Sequence, residues 1–204
     1  MKLHWSPRSP FVRKIMIAAN EHGLADRLEL MRTVVHPETV NEALVADNPL
    51  SKLPTLVLDD GTSLYDSRVI CEYFDLISRV TPLFPAASQG RFAALRDQAL
   101  GDGMLDILLM LLVERVKPQS QQSPKLIVAI NRKIEASLHR LETDIGTIAL
   151  RPFDIGHVAI GAALLYLDFR FQTDNWHGGH PNLSAWHQTF CRRPSVVASP
   201  VSDD

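Results

Sequence analysis

The sequence is poor in cysteine, with Cys71 and Cys191 as the only two in 204 residues. They are far apart and form no Cys-x-x-Cys pair, so we expect neither a disulfide framework nor a dithiol redox motif. We expect both cysteines to be reduced and to serve as packing residues.

Long hydrophobic runs are also lacking. The longest apolar stretches, Met104–Val113 and Val158–Leu167, fall short of the ~20 residues that a membrane-spanning helix requires. The first residues, Met1–Trp5, lead directly into Ser6 and Pro7 without the apolar region of a secretory signal. We therefore expect a cytoplasmic protein that does not associate with a membrane.

The chemistry of a nucleic-acid site or a metal site is missing as well. The formal net charge is −2, the isoelectric point is about 6.4, and lysine and arginine are scattered, so a phosphate backbone has no basic surface to meet. His177, His180 and His187 lie near one another, but no cysteine or carboxylate accompanies them at zinc-ligand spacing. We expect no nucleic-acid partner and no metal.

What is present, in the first 80 residues, is an alternation of strand and helix patterns. The predicted strands are 2–5, 28–35, 55–58 and 63–65; helices are predicted from Pro10 to Gly23 and over 66–78, with a short helix or irregular turn over 37–46. The Asp60-Gly61 dipeptide predicts a hairpin between the last two strands. The resulting order, β-α-β-α-β-β-α, is that of a thioredoxin-like domain, and the alternation favours a mostly parallel sheet.

The rest of the chain shows only helical patterns. Apolar periodicity predicts helices over Arg91–Val116 and Leu126–Ile145, which should pair across the intervening loop. The segment Asp154–Phe169 is apolar on nearly all sides, which is typical of a helix buried at a domain centre. A further short helix follows Pro181. We therefore predict three parts: an α/β domain (1–80), a linker rich in proline, serine and alanine (81–88), and an all-helical domain (89–204).

Three local patterns resemble the glutathione S-transferase superfamily, in particular bacterial members that begin with a Ser-Pro-Phe-Val-Arg-Lys segment. They are Ser9–Lys14, the stretch from Asn48-Pro49 to Leu53–Leu56, and Leu64–Arg68. The resemblance covers nearly the whole chain. It implies a thioredoxin-like N-terminal domain with an all-α C-terminal domain, glutathione as co-substrate, and a homodimer.

The resemblance implies that Ser9 faces the glutathione thiol. A serine before a helix is commonly an N-cap, and the same position offers a hydroxyl and a helix N-terminus to a sulfur anion. Because the thiolate is the nucleophile and the reference pKa of a thiol is near ~8.5, both groups would favour the reactive form. Ser6 is the alternative thiolate partner, since related proteins differ in the length of this loop.

The other two patterns imply the residues that hold the tripeptide. Leu53-Pro54 resembles the family's cis-proline, where the backbone of Leu53 pairs with the cysteinyl unit as an added strand. The pair Asp66-Ser67 resembles the segment that receives the γ-glutamyl carboxylate at a helix N-terminus. The remaining glutathione-binding candidates are Phe11, Lys52 and Arg68.

In the helical half, the apolar stripe through Met104, Leu108 and Leu112 supplies candidates for a pocket that takes a small hydrophobic electrophile, although core packing is the alternative. The segment Asp154-Ile155-Gly156-His157 occupies the place of the family's capping box. His157 stands where the family has a carboxylate, so we do not expect the reciprocal capping bond.

The activity implied by the resemblance is conjugation of glutathione to small apolar electrophiles, in detoxification. Two alternatives remain open from the sequence. One is a noncatalytic glutathione-binding or protein-interaction module of the same fold, and the other is a glutathione-dependent isomerase or dehalogenase.

Overall fold

A computed structural model describes residues 1–80 and 82–203. The contacts between residues divide the chain into two compact units, Met1–Pro85 with Pro194–Asp204, and Ala86–Arg193. The domain boundaries predicted from the sequence stay a prediction, and two of the residues they include, Thr81 and Asp204, lie outside the described residues.

The first unit is α/β and the second is helical, which confirms the predicted fold class. In chain order the elements are β1 (Lys2–Trp5), α1 (Pro10–Glu21), β2 (Glu29–Arg32), α2 (Glu42–Val45), β3 (Thr55–Val57), β4 (Ser63–Leu64), α3 (Ser67–Ile77), α4 (Ser88–Val116), α5 (Pro124–Ala149), α6 (Ile155–Arg170), α7 (Pro181–Phe190) and α8 (Pro194–Val197). Within the described ranges 1–80 and 82–203, no helix is both long and apolar enough to span a bilayer.

The sheet of the first unit is mixed, with the strand order β2-β1-β3-β4. Strands β1 and β2 are parallel, whereas β3 is antiparallel to both β1 and β4. The expectation of a mostly parallel sheet is therefore wrong. A tight turn at Asp60-Gly61, where Gly61 has φ +87°, joins β3 to β4 and forces them to run in opposite directions.

The core of the first unit lies where α1 and α3 pack against each other and against the sheet. Leu3 of β1 and Leu56 of β3 are paired in register, and both are fully buried. Ile15 of α1 and Ile70 and Phe74 of α3 are also fully buried. Each such side chain contributes about 1.5–3 kcal/mol, so this layer fixes the two helices whose N-termini enter the candidate site.

The end of the chain belongs to the first unit. Helix α8 contacts α1, where Ser195 donates a hydrogen bond to Glu21. Arg13 Nε donates to the carbonyl oxygen of Ser199 at 2.9 Å, and Asn20 donates to the Ser199 hydroxyl at 3.3 Å. Polar side chains of α1 thus take up backbone and hydroxyl groups of this segment.

The helical unit is centred on α6, in which each residue from Ile155 to Leu167 is buried. This confirms the prediction of a central helix. Helix α4 packs directly on it: a Cβ added at Gly101 would lie 2.4 Å from the carbonyl carbon of Ala159. Glycine at position 101 is therefore required by the close approach of the two backbones.

The capping box at the start of α6 is complete, contrary to the expectation. Asp154 Oδ1 accepts from the backbone N–H groups of Gly156 and His157, and the Asp154 N–H lies 3.2 Å from His157 Nδ1. His157 Nε2 lies 2.9 Å from the carbonyl oxygen of Ile148, which can only accept. His157 Nδ1 also lies 2.8 Å from Asp154 Oδ1, so this ring nitrogen faces both the N–H and the carboxylate of the capping residue.

Candidate functional site

Ser9 caps helix α1 at the point where the chain leaves β1. Its backbone is extended, and its Oγ accepts the N–H of Val12 at 3.3 Å. Accepting this bond leaves the hydroxyl hydrogen of Ser9 for a second partner. The side chain is partly exposed, so it can present this hydrogen to a ligand at the helix N-terminus.

Ser6 has a different environment from Ser9. It is 7% exposed, its Oγ lies 3.4 Å from the backbone nitrogen of Arg8, and its side chain takes part in the turn before the helix. The structure therefore favours Ser9 over Ser6 as a hydroxyl that reaches outward from the helix N-terminus. Phe11, in the first turn of α1, is also partly exposed.

Helix α3 begins at the third predicted segment, Leu64–Arg68. Asp66 is its N-cap, and its Oδ1 accepts the N–H of Arg68 at 2.9 Å. Asp66 and Arg68 are exposed, whereas Ser67 is 2% exposed. A helix N-terminus offers unpaired N–H groups to an anion, so this segment has the character of an anion site.

Lys14 is a residue to which the sequence analysis assigned no role. Its side chain is fully buried in the first unit, and its Nζ donates to Ser67 Oγ at 3.5 Å. The lysine thus links the second turn of α1 to the first residue of α3. Its place in the Ser9–Lys14 motif was a signal, but only the packing of α1 on α3 shows that it reaches Ser67.

The second predicted segment includes the loop before β3. The side chain of Asn48 is buried and donates to the carbonyl oxygen of Lys52 at 3.2 Å and to Thr55 Oγ1 at 2.9 Å. These bonds fix the loop on either side of Leu53 and Pro54. The Leu53–Pro54 peptide bond is cis, as the resemblance implies, and the Lys52 side chain is exposed.

The strand register brings the three segments to one edge of the sheet. His4 pairs with Thr55, and Leu56 pairs with Leu64. Extending the β1–β3 pairing by one residue places Pro54 opposite Trp5, the last residue of β1. Extending the β3–β4 pairing by two residues places Pro54 opposite Asp66, which caps α3. The end of β1, the Leu53 loop and the start of α3 therefore lie at one end of the sheet, and the hydrogen bond from Lys14 to Ser67 connects α1 to the start of α3.

A cavity of about 180 Å³ adjoins the loop that follows β1. Its walls combine β1, α1 and the C-terminal segment, and they are mostly apolar. The residues around it include Trp5, Ser6, Pro7, Val12, Arg13 and Met16.

The pocket candidates in the helical unit are mainly core residues. Met104 and Leu108 are 1% and 0% exposed, which favours packing against the rest of that unit over lining an open pocket. Leu112 is partly exposed. A role in substrate binding stays a prediction for all three. In the part of the chain that the structure describes, no group of three or more histidine, cysteine, aspartate or glutamate residues is arranged to hold a metal ion.

Comparison with known proteins identifies the family to which the chain belongs. Residues 8–77 match the family model described as "Glutathione S-transferase, N-terminal domain". The uncharacterized GST-like protein YibF of Escherichia coli K12 is 32% identical over 185 residues, which are 90% of each chain.

Two solved structures are similar over almost the whole chain. A glutathione transferase family member from Pseudomonas fluorescens Pf-5, with bound glutathione, is 35% identical with a TM-score of 0.95, over 98% of both chains. A glutathione S-transferase from Methylobacillus flagellatus KT, also with glutathione bound, is 32% identical with a TM-score of 0.90, over 98% of this chain and 99% of that one. Family model, relative and structures agree, and the chain belongs to the glutathione S-transferase superfamily.

Proposed function

We propose that the protein binds glutathione at the sheet edge formed by the start of α1, the Leu53 loop and the start of α3, and transfers its thiolate to a small apolar electrophile. The observation that carries this proposal is the register that brings the three segments together. The glutathione bound to the two related solved structures supports it.

Ser9 holds the thiolate in this proposal. Its hydroxyl donates to the sulfur while its oxygen keeps the Val12 N–H, so one side chain caps the helix and serves the ligand. A hydrogen bond to a charged group is worth about 1.5–3 kcal/mol, and a helix N-terminus adds up to about 2 kcal/mol. Because one pKa unit corresponds to about 1.4 kcal/mol, the two together bring the glutathione thiol from ~8.5 toward neutrality.

The start of α3 receives the γ-glutamyl end of glutathione. Ser67 and the first N–H groups of the helix bind the carboxylate, and the exposed carboxylate of Asp66 meets the ammonium group. Lys14 holds the Ser67 hydroxyl from the buried side and places a positive charge beneath the carboxylate. Lys14 is therefore a positioning residue in this site.

The backbone of Leu53 pairs with the cysteinyl unit as an added strand, since Leu53 lies just before β3 begins. Lys52 and Arg68 are exposed, and each adds a positive charge near a carboxylate of the tripeptide. Phe11 contributes apolar contact at the first turn of α1.

The proposal includes the setting that the resemblance implies, a cytoplasmic homodimer that serves detoxification.

The test is conjugation of glutathione to a generic aryl halide, together with calorimetric binding of glutathione, for the wild type and variants of Ser9. Ser9→Ala removes both the cap and the hydroxyl donor. Ser9→Asp keeps a capping oxygen but carries a negative charge, and Ser9→Thr keeps the hydroxyl. We expect turnover in the wild type and Ser9→Thr, and its loss in Ser9→Ala and Ser9→Asp.

The outcomes separate the proposal from its alternatives. Full turnover in Ser9→Ala with loss in Ser6→Ala would assign the thiolate to Ser6. Glutathione binding without turnover in the wild type would indicate a noncatalytic module. No binding at all would reject the site itself.

A further inference from the structure

A second polar cluster lies in the helical unit, away from the residues assigned to glutathione. Its centre is the carboxylate of Asp168, near the end of α6. Trp176 Nε1 donates to Oδ1 at 2.8 Å, His177 Nε2 lies 2.9 Å from Oδ1, and His187 Nε2 lies 2.7 Å from Oδ2. Cys191 completes this set, which we call the Asp168 cluster.

The sulfur of Cys191 lies against the His187 ring. Its Sγ is 3.5 Å from Nε2 and 4.0 Å from Nδ1. His187 belongs to α7 and Cys191 is the residue that caps its C-terminus, so the two side chains lie one helical turn apart on the same face. Both ring nitrogens therefore lie within 4.0 Å of the sulfur, and Nε2, which also faces Asp168, is the nearer of the two.

His187 carries a positive charge at neutral pH. Its side chain is 2% exposed, and burial by itself lowers the pKa of a histidine. The hydrogen bond with Asp168 and the interaction with Cys191 outweigh burial and raise the pKa of His187 to about 9. A partly exposed cysteine next to a cation is the environment in which reactive thiols are found.

The sequence around Cys191 favours an anionic reagent. Cys191 is partly exposed, and Arg192, which follows it, is exposed. The guanidinium of Arg193 lies 3.6 Å from the ring centre of Phe153. The His187 ring therefore lies against this thiol and two arginines follow it in sequence, whereas Cys71 is fully buried in the α/β unit.

We propose that Cys191 is a site of reversible thiol modification, which takes a small anionic disulfide such as glutathione disulfide and depends on the His187–Asp168 pair. The Cys191 thiolate attacks one sulfur of the disulfide. The bond to Cys191 forms as the original S–S bond breaks, and one glutathione leaves as a thiolate that takes a proton from water. Cys191 is oxidised to a mixed disulfide and half of the reagent is reduced, so the step needs no further electron acceptor.

This inference does not rest on the proposed function. Cys191 and its partners belong to the helical unit, and the glutathione site belongs to the α/β unit. We therefore expect Ser9→Ala to leave the rate of Cys191 modification unchanged.

The first experiment needs no substitution in the cluster. A Cys71→Ala protein, which has Cys191 as its one thiol, is incubated with glutathione disulfide at about pH 7, folded or unfolded in urea. Intact mass spectrometry follows the addition of one glutathione, and peptide mapping locates it. We expect the folded protein to react about tenfold faster than the unfolded one and a dithiol reductant to release the adduct.

The second experiment tests the partners of the thiol. His187→Gln and Asp168→Asn should each slow modification of Cys191 by up to about tenfold. His177→Gln is the matched control, because His177 contacts the same carboxylate and its ring lies on Trp176, but it has no contact with the sulfur among the bonds of the described residues. We expect its rate to equal that of the wild type.

Two results would overturn the proposal. One is a folded-state rate equal to or below that of the unfolded chain, which would make Cys191 an ordinary or shielded thiol. The other is an unchanged rate in a folded His187→Gln protein, since the imidazole would then have no part in the reaction. If the substitutions unfold the chain, the comparison of folded and unfolded Cys71→Ala decides alone.

Discussion

The candidate glutathione site is built mainly from backbone groups, whereas the Asp168 cluster is built from side chains. The first uses helix N-termini, main-chain groups and two serine hydroxyls, arranged by the register of one sheet. The second uses a carboxylate, imidazoles and a thiol from two helices and the turn between them. A site of the first kind is set by the backbone, whereas a site of the second kind depends on which protons its side chains hold.

The largest expected difference concerns pH. The pKa of His187 is raised from 6.5 to about 9 in the folded chain. The ion pair of His187 with Asp168 therefore stabilises the fold fully below about pH 6.5, and this stabilisation is lost as the pH rises through about 9. We expect the wild type to lose up to about 3 kcal/mol of unfolding free energy over this window, and His187→Gln to lose much less. Urea unfolding followed by circular dichroism at several pH values measures this. Parallel losses in both proteins would assign the effect to other groups.

Ser9→Ala should give the next largest effect, and only at the first site. Loss of one hydrogen bond to a charged sulfur costs about 1.5–3 kcal/mol, so the rate of conjugation should fall about 10- to 100-fold. Initial rates with saturating glutathione measure this, and Cys191→Ser is the control that should conjugate normally. A loss of activity in Cys191→Ser would show that the two sites are not independent.

Ser67→Ala should have a smaller effect, confined to glutathione binding. The substitution removes one hydroxyl at the start of α3 but keeps the helix N–H groups, so glutathione affinity should fall about five- to tenfold, in line with about 1 kcal/mol for a hydrogen bond. The KM for glutathione should rise while kcat changes little. Thr55→Ser, another buried hydroxyl of the same unit, serves as a control with its bonds to Asn48 retained. An unchanged KM in Ser67→Ala would remove Ser67 from the site.

Lys52→Gln should give the smallest effect. The side chain is exposed, and an ion pair in water is worth about 0.2–1 kcal/mol, so the KM for glutathione should rise about two- to threefold at low ionic strength. Added salt should bring the variant and the wild type together, because exposed charges are screened. A difference that persists in high salt would contradict a purely electrostatic role.

The sequence predicted the elements and supplied candidate residues for the first site, but it did not link the residues of the second. Ser9, Leu53-Pro54 and Asp66-Ser67 lie in short contiguous motifs, and each motif sits at the end of an element, where its neighbours in sequence largely determine its conformation. The predicted direction of the strands was wrong, because an alternation of strands and helices does not indicate whether a strand that follows a loop pairs in the parallel or the antiparallel direction. Lys14 lay within a motif, but its contact with Ser67 depends on the packing of two helices.

The Asp168 cluster could not be predicted in the same way. His187 and Cys191 were a visible signal, since they are four positions apart on one helix face, but their carboxylate comes from another helix. Cys191 was predicted to be a packing residue, whereas it is partly exposed with its sulfur against a histidine. A constellation of this kind is created by tertiary structure.

The position of α8 bears on the order in which the chain is assembled during translation. Pro194–Val197 packs on α1, and Ser199 receives bonds from Arg13 and Asn20 of that helix. These contacts join residues separated by almost the whole chain, so they form only after all residues of the helical unit have been synthesised. The α/β unit, although its first strand emerges first, is therefore the last of the two to be completed.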